Sequence, residues 1–208
     1  MQEDIKEETA SGEELKIENE KKPEGGKKQK PPENGEYFAY DENGEIKQRS
    51  FYKDGKRNGE DRVYKKGLLA ERKTFVDDVL EGFVELYDNG VMKMNIKYSN
   101  NVPNGVGYFF HKSGYVNAIA WYKDALLEGP FLVFAEDGAL VKRSFYKENK
   151  QNGKSIVYHD NGMIYESGQY KENQKDGTWV TKDKDGKLMQ TVVFNNGAVI
   201  SKKVEKKE

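Results

Sequence analysis

The residues that could do chemistry in this chain are few and badly placed for it. There is no cysteine, which excludes a disulfide framework, a cysteine nucleophile and thiolate metal sites. The only histidines are His111 and His159. As a metal pair they fail, because the repeat described below sets them four strands apart, about 19 Å at ordinary strand spacing. The same position elsewhere holds Asp41, Lys65, Asp88, Ala135 and Asp183, as expected of a turn with free choice. Asp183-Lys184-Asp185-Gly186 resembles the start of a calcium loop but lacks the third acidic ligand before the glycine and the distal glutamate. Gly25-Gly26-Lys27 has no strand before it and no helix after it, so it is not a phosphate loop. No serine sits in a Gly-x-Ser-x-Gly elbow or has a histidine placed to activate it. The 36 acidic residues read as solvated faces. We therefore expect no catalytic residue, no metal ligand and no cofactor.

What organises the chain is a unit of 23 or 24 residues. Its opening glycines are Gly35, Gly59, Gly82, Gly105, Gly129, Gly153 and Gly177, and its turn glycines Gly44, Gly67, Gly90, Gly114, Gly138, Gly162 and Gly186. Two residues after each turn glycine stands an aliphatic: Ile46, Leu69, Met92, Val116, Leu140, Ile164, Leu188. Eight residues after it stands an aromatic: Tyr52, Phe75, Tyr98, Tyr122, Tyr146, Tyr170, Phe194. An even separation along an extended strand puts both columns on one face. A third column, five after the opening glycine, is aromatic from Tyr40 to Tyr158 and broken only by Lys182. Asn161-Gly162 between two β-type runs predicts a type I′ hairpin turn. The hairpin turn is one residue shorter in the second and third copies. The six residues after each aromatic are expected to turn the chain into the next hairpin, as in Lys53-Asp54-Gly55. Such periodicity means a repeat architecture.

The fold class expected is all-β: an elongated, single-layer antiparallel sheet of seven stacked hairpins in meander order, about 65 Å long. Mean hydropathy of −0.97 and 34% charged residues are too polar for a large dry core and suit a thin layer. A net charge of −1 advertises no nucleic-acid surface. No apolar run approaches a transmembrane helix, and residues 1–33 hold no signal-peptide core. Those 33 residues carry ten acids, seven bases and no aromatic, and we expect them to be a disordered charged tether. Residues 34–197 are the repeats, and 198–208 a closing segment over the last edge strand followed by a solvated tail. A methionine directly before such a tether suggests a start codon in place of an export leader.

The pattern resembles the MORN repeat in the variant form of bacterial YwqK-like proteins. The resemblance runs over about residues 35–196, and is close from Gly153 through Tyr158, Gly162 and Ile164 to Tyr170-Lys171. The seventh copy departs, with Lys182 and Phe194-Asn195, as a terminal cap would. The resemblance implies a sheet-like, non-enzymatic scaffold that binds another protein, at the envelope or exported. It also leaves open an antitoxin that covers its toxin and a module that reads lipid headgroups. Near-neutral charge weighs against the membrane surface, and a homodimer stays open.

One stretch departs from the polar pattern between the columns. Ala118 and Ala120, with Ile119 and Trp121 on the opposite face, are followed at the next repeat by Val141 and Phe145. Together with Tyr108, Phe109, Phe131 and Leu132 they predict an apolar patch at mid-sheet, where aromatic anchors dominate binding. The partner-binding residues expected are Tyr108, Ile119, Trp121, Phe131, Val141 and Phe145. Internal packing of the same side chains is the competing reading.

Overall fold

A computed structural model describes residues 30–205. The tether expected over 1–33 lies almost wholly outside the described residues. These form seventeen strands in one antiparallel sheet, with no helix among them. The first hairpin is β1 (Gly35–Tyr40) and β2 (Ile46–Lys53), the second β3 (Lys56–Lys65) and β4 (Leu68–Val76). In the third, β5 (Val79–Leu80) and β6 (Gly82–Asp88) make one arm and β7 (Val91–Ser99) the other. The fourth is β8 (Val102–Phe110) and β9 (Val116–Lys123), the fifth β10 (Leu126–Phe134) and β11 (Leu140–Lys147). The sixth comprises β12 (Lys150–Gln151), β13 (Gly153–Tyr158) and β14 (Ile164–Lys171). The seventh is β15 (Gln174–Lys182) and β16 (Leu188–Asn195), and β17 (Ala198–Val204) pairs with β16 to end the sheet. Each arm pairs with the next in chain order, a pure meander.

Two turn types alternate, and the expectation for both needs correction. At Asn161-Gly162 the five residues between paired Tyr158 and Ile164 leave no room for a two-residue turn. His159 N–H donates to Met163 O at 2.8 Å and Gly162 N–H to His159 O at 3.0 Å, and only the glycine is left-handed, at φ 80°. That is a type I turn followed by a left-handed glycine. The shorter second and third copies do make type I′ turns, with Lys66 and Asn89 at φ 53° and 49° ahead of Gly67 and Gly90. Between repeats the six expected loop residues are mostly strand. Only two of them turn: Asp54-Gly55, Asp77-Asp78, Asn100-Asn101, Asp124-Ala125, Glu148-Asn149, Glu172-Asn173 and Asn196-Gly197, all with φ between 46° and 83°.

These inter-repeat turns are tied to one another along one long edge of the sheet. The second turn residue donates its N–H to a carbonyl one repeat earlier, and its side-chain oxygen accepts from the N–H of that same residue. Asn149 N–H reaches Leu127 O at 3.1 Å while Leu127 N–H reaches Asn149 Oδ1 at 2.7 Å. Asp78 with Arg57, Asn101 with Leu80 and Asn173 with Gln151 make the same reciprocal pair. At Ala125 the pair is half made: its N–H reaches Pro103 O at 2.9 Å, and neither alanine nor proline can supply the second bond.

The opening glycines sit inside strands, each opposite the aromatic eight residues after a turn glycine, from Gly35 with Tyr52 to Gly177 with Phe194. Asn58, Gly59 and Glu60 together oppose Phe51, a three-against-one bulge in which Gly59 takes φ 118° and a Cβ would stand 3.2 Å from Phe51 Cβ. Beyond it, the third-column residue pairs with the aliphatic at a second bulge in every repeat, from Tyr40 with Ile46 to Lys182 with Leu188. The second bulge breaks the alternation, which corrects the expectation of one shared face: the aromatic opposite each opening glycine stays on what we call the packed face, while the aliphatic and its third-column partner turn to the other, as Tyr87 does to meet Glu85.

Along the middle of the packed face runs a buried row of small and large residues. Ser50, Ala120 and Ser144 are fully buried, and Ser155 is 2% exposed. Trp179 (3% exposed) lies flat on Gly168, where a Cβ would fall 2.2 Å from the indole. Its Nε1 donates to Gln169 O at 3.0 Å and its ring meets Tyr170 edge-on at 5.1 Å. Burial raises the hydroxyl pKa of Tyr52, Tyr122, Tyr146 and Tyr170 in the aromatic column. The core is thus one side chain deep.

Asn149→Ala removes the reciprocal bond and leaves an alanine in the left-handed region, and should cost about 2 kcal/mol in urea unfolding. Asn149→Asp keeps the acceptor and should cost far less. Ala125→Asn relieves the left-handed alanine but finds no donor at Pro103, so its gain should stay near about 1 kcal/mol.

Candidate protein-interaction face

On the opposite, open face, one row of paired residues crosses the sheet and changes character halfway. It runs Phe38, Arg49, Arg62, Arg72, Glu85, Asn95, Tyr108, Ile119, Leu132, Arg143, Ile156. The first half is an ion-pair ladder. Arg49 pairs with Glu36 at 2.8 Å, Arg62 with Glu60 at 2.6 Å, and Arg72 with both Glu60 at 3.5 Å and Glu85 at 2.6 Å. Glu85 is 8% exposed at its side chain and also accepts from Tyr87 Oη at 2.5 Å. Burial pulls the Glu85 carboxyl upward, but the donors on Arg72 and Tyr87 overcome it and hold it below the ordinary glutamate value. Burial, then the Glu85 carboxylate, pushes Tyr87 up to about 12.

The second half is apolar. Tyr108, Ile119 and Leu132 stand side by side on three strands, and in the adjoining row Trp121 pairs with Val106 and Phe145 with Pro130. All seven are half-buried, and the described residues contribute no second layer above them. Arg143 closes the patch with its guanidinium 5.1 Å from the Phe145 ring.

Four of the six residues expected at the patch therefore share this face: Tyr108, Ile119, Trp121 and Phe145. Phe131 does not. It pairs with Ala120 and Ser144 in the packed row and meets Tyr146 edge-on at 5.6 Å. Val141 is the residue skipped at the β11 bulge and is exposed. Leu132, Val106, Pro130 and Ile156 extend the patch. The signal for Val106 and Pro130 lay in their offset, one after an opening glycine, which pairs with the seventh position after a turn glycine. The arginine ladder was not anticipated, although Arg49, Arg72 and Arg143 all stand five residues after a turn glycine.

Both histidines serve the turns. His111 Nε2–H donates to Phe134 O and His159 Nε2–H to Lys182 O, each at 3.0 Å and each one repeat onward. That tautomer leaves His111 Nδ1 to accept from Asn117 Nδ2 at 3.1 Å. Among the described residues no group of three His, Cys, Asp or Glu could hold a metal ion.

The Glu85 site sets two pH limits. Because its folded pKa is depressed, its contribution is present above the unfolded carboxylate range and lost as pH falls through the folded value. Tyr87 is raised, so its contribution is full below the ordinary value of 10.0 and lost as pH rises through about 12. Glu85→Gln should cost about 1–3 kcal/mol at neutral pH and flatten the acid limb of a stability–pH curve. Tyr87→Phe should remove the last component of the tyrosinate absorbance titration.

The family model described as MORN repeat variant matches residues 33–54, 151–172 and 175–196, the first, sixth and seventh copies. No curated protein matches the chain. Repeats of this family are generally non-catalytic modules of protein or membrane interaction. Three copies of the repeat thus match the MORN repeat variant, and four more fold in register with them.

Proposed function

We propose that the chain is a non-enzymatic scaffold that binds another protein through the apolar half of its open face. The observation that carries this reading is the contrast between the two faces. On the packed face large residues lie over small ones, and most of its middle row is buried. On the open face Tyr108, Ile119, Trp121, Leu132 and Phe145 are half-buried, bordered by Val106, Pro130 and Arg143, with no second layer over them among the described residues. A half-buried aromatic cluster gains by removing its remaining apolar area from water. The ion-pair ladder beside it supplies directional charge that fixes a partner's orientation more than its affinity.

The test is a capture experiment from lysate and envelope fractions of the source organism. Wild type runs beside Trp121→Ala/Phe145→Ala and beside Arg49→Ala on the charged half. We expect a protein retained by wild type, lost by the double variant by about thirtyfold or more, and weakened only modestly by Arg49→Ala. A partner kept by the double variant would put the site elsewhere. A double variant with lost β-sheet circular dichroism would assign those aromatics to the core. Salt-sensitive co-sedimentation with anionic vesicles, with no protein captured, would favour the membrane-surface reading instead.

A further inference from the structure

The chain contains eight Asn-Gly steps. In such a step the glycine amide nitrogen can attack the asparagine Cγ. Ammonia leaves, and water then opens the resulting succinimide at either carbonyl to give aspartate or isoaspartate. Glycine favours the reaction because no Cβ shields its nitrogen. The nitrogen must shed its proton to attack, so a hydrogen bond from that N–H opposes it. What holds each glycine N–H therefore ranks the eight steps.

Three turn glycines are held. Gly44 donates to Asp41 O at 3.1 Å, Gly162 to His159 O at 3.0 Å and Gly197 to Lys175 O at 2.8 Å. Four more are opening glycines inside strands, Gly59, Gly105 and Gly153 with a strand on either side and Gly35 on the edge strand β1, and their asparagines are engaged across the repeat, Asn34 Oδ1 accepting from Asp54 N–H at 3.0 Å. Asn58 Nδ2, for example, donates to Asp77 Oδ1 at 3.0 Å, and Asn152 Nδ2 to Glu172 Oε1 at 3.1 Å.

Asn89-Gly90 differs from all seven. It is the whole of the two-residue type I′ turn between β6 and β7, closed by the pair Asp88–Val91 outside it. A turn of this type engages the amides of its flanking residues and leaves that of its second central residue pointing at water. Among the described residues nothing accepts from Gly90 N–H, and Asn89 is exposed, its Nδ2 3.2 Å from the exposed Asp88 carboxylate. Lys66-Gly67 makes the same turn one repeat earlier but offers no side-chain carbonyl to attack.

We propose that Asn89-Gly90 is a site of spontaneous hydrolytic modification, converting to aspartyl and isoaspartyl forms ahead of the other seven steps. Aspartate at 89 replaces a donor beside Asp88 with a second carboxylate. Isoaspartate adds a methylene to the main chain of a turn built for two residues. Either product loosens the hairpin that carries Glu85 and Tyr87.

The full folded chain is held at mildly alkaline pH, and peptide mapping by mass spectrometry is combined with enzymatic isoaspartyl methylation. The peptide containing residue 89 should convert first. Its rate should rise with pH and exceed that of any other step about five- to tenfold, the factor carried by one hydrogen bond. Asn89→Gly keeps a left-handed turn without an amide, and should lose that signal and gain none elsewhere. In urea the eight rates should converge. Another asparagine converting first in the folded chain would overturn the proposal, as would a ranking that survives in urea, since local sequence would then set it.

Discussion

The interaction on which the sheet depends is the reciprocal hydrogen-bond pair that joins one inter-repeat turn to the next. A single-layer sheet has no opposing layer to hold its register, and a slip of one residue would send every side chain to the other face. The pair formed by Asn149 with Leu127, and its copies at Asp78, Asn101 and Asn173, fixes each turn against the backbone one repeat earlier. The left-handed conformation of those residues both makes the tight turn and aims the side-chain oxygen back at the neighbouring amide. Asparagine and aspartate are suited to this because they tolerate φ > 0 and carry a short acceptor. At the array's ends the position is glycine, Gly55 and Gly197, which turns the chain but offers no side-chain acceptor.

With register fixed, the two faces can specialise. The packed face becomes a core one side chain deep, closed by aromatics over serines, alanines and glycines. Trp179 over Gly168 is its tightest contact. Such a core tolerates 34% charged residues because its opposite face need not be buried at all. That freedom lets the open face carry arginine–glutamate pairs at one end and aromatic side chains at the middle. Under the function proposed above, stability and recognition fall to different sides of the same strands.

Much of this was legible in the residues. The glycine, aliphatic and aromatic columns predict the hairpins and their meander order, but a strict period of two put the aliphatics on the face of the aromatics, and the bulge before each aliphatic turns them away from it. What was not legible lies where that period breaks. The seven residues from aromatic to opening glycine hide a two-residue turn, a short strand and a three-against-one bulge, which together look like a loop. Asn161-Gly162 looks like a two-residue turn because the residues suit one, but the strand pairing sets the loop at five. Phe131 was grouped with Trp121 by proximity in sequence. Counting from Gly129, which pairs with Tyr146, would have set it opposite Ser144 on the packed face. The arginine ladder is formed by pairs thirteen residues apart, such as Arg49 with Glu36 and Arg72 with Glu85, across hairpins whose registers contain bulges.

Trp121 and Tyr122 are neighbours in β9 that point to opposite faces, so they test the division of labour with almost no change of location. A photo-reactive phenylalanine analogue replaces one or the other in the full chain, which is irradiated with its captured partner. The account predicts a covalent adduct to the partner from position 121 and none from 122. An adduct from 122 alone, or equal yields from both, would contradict it.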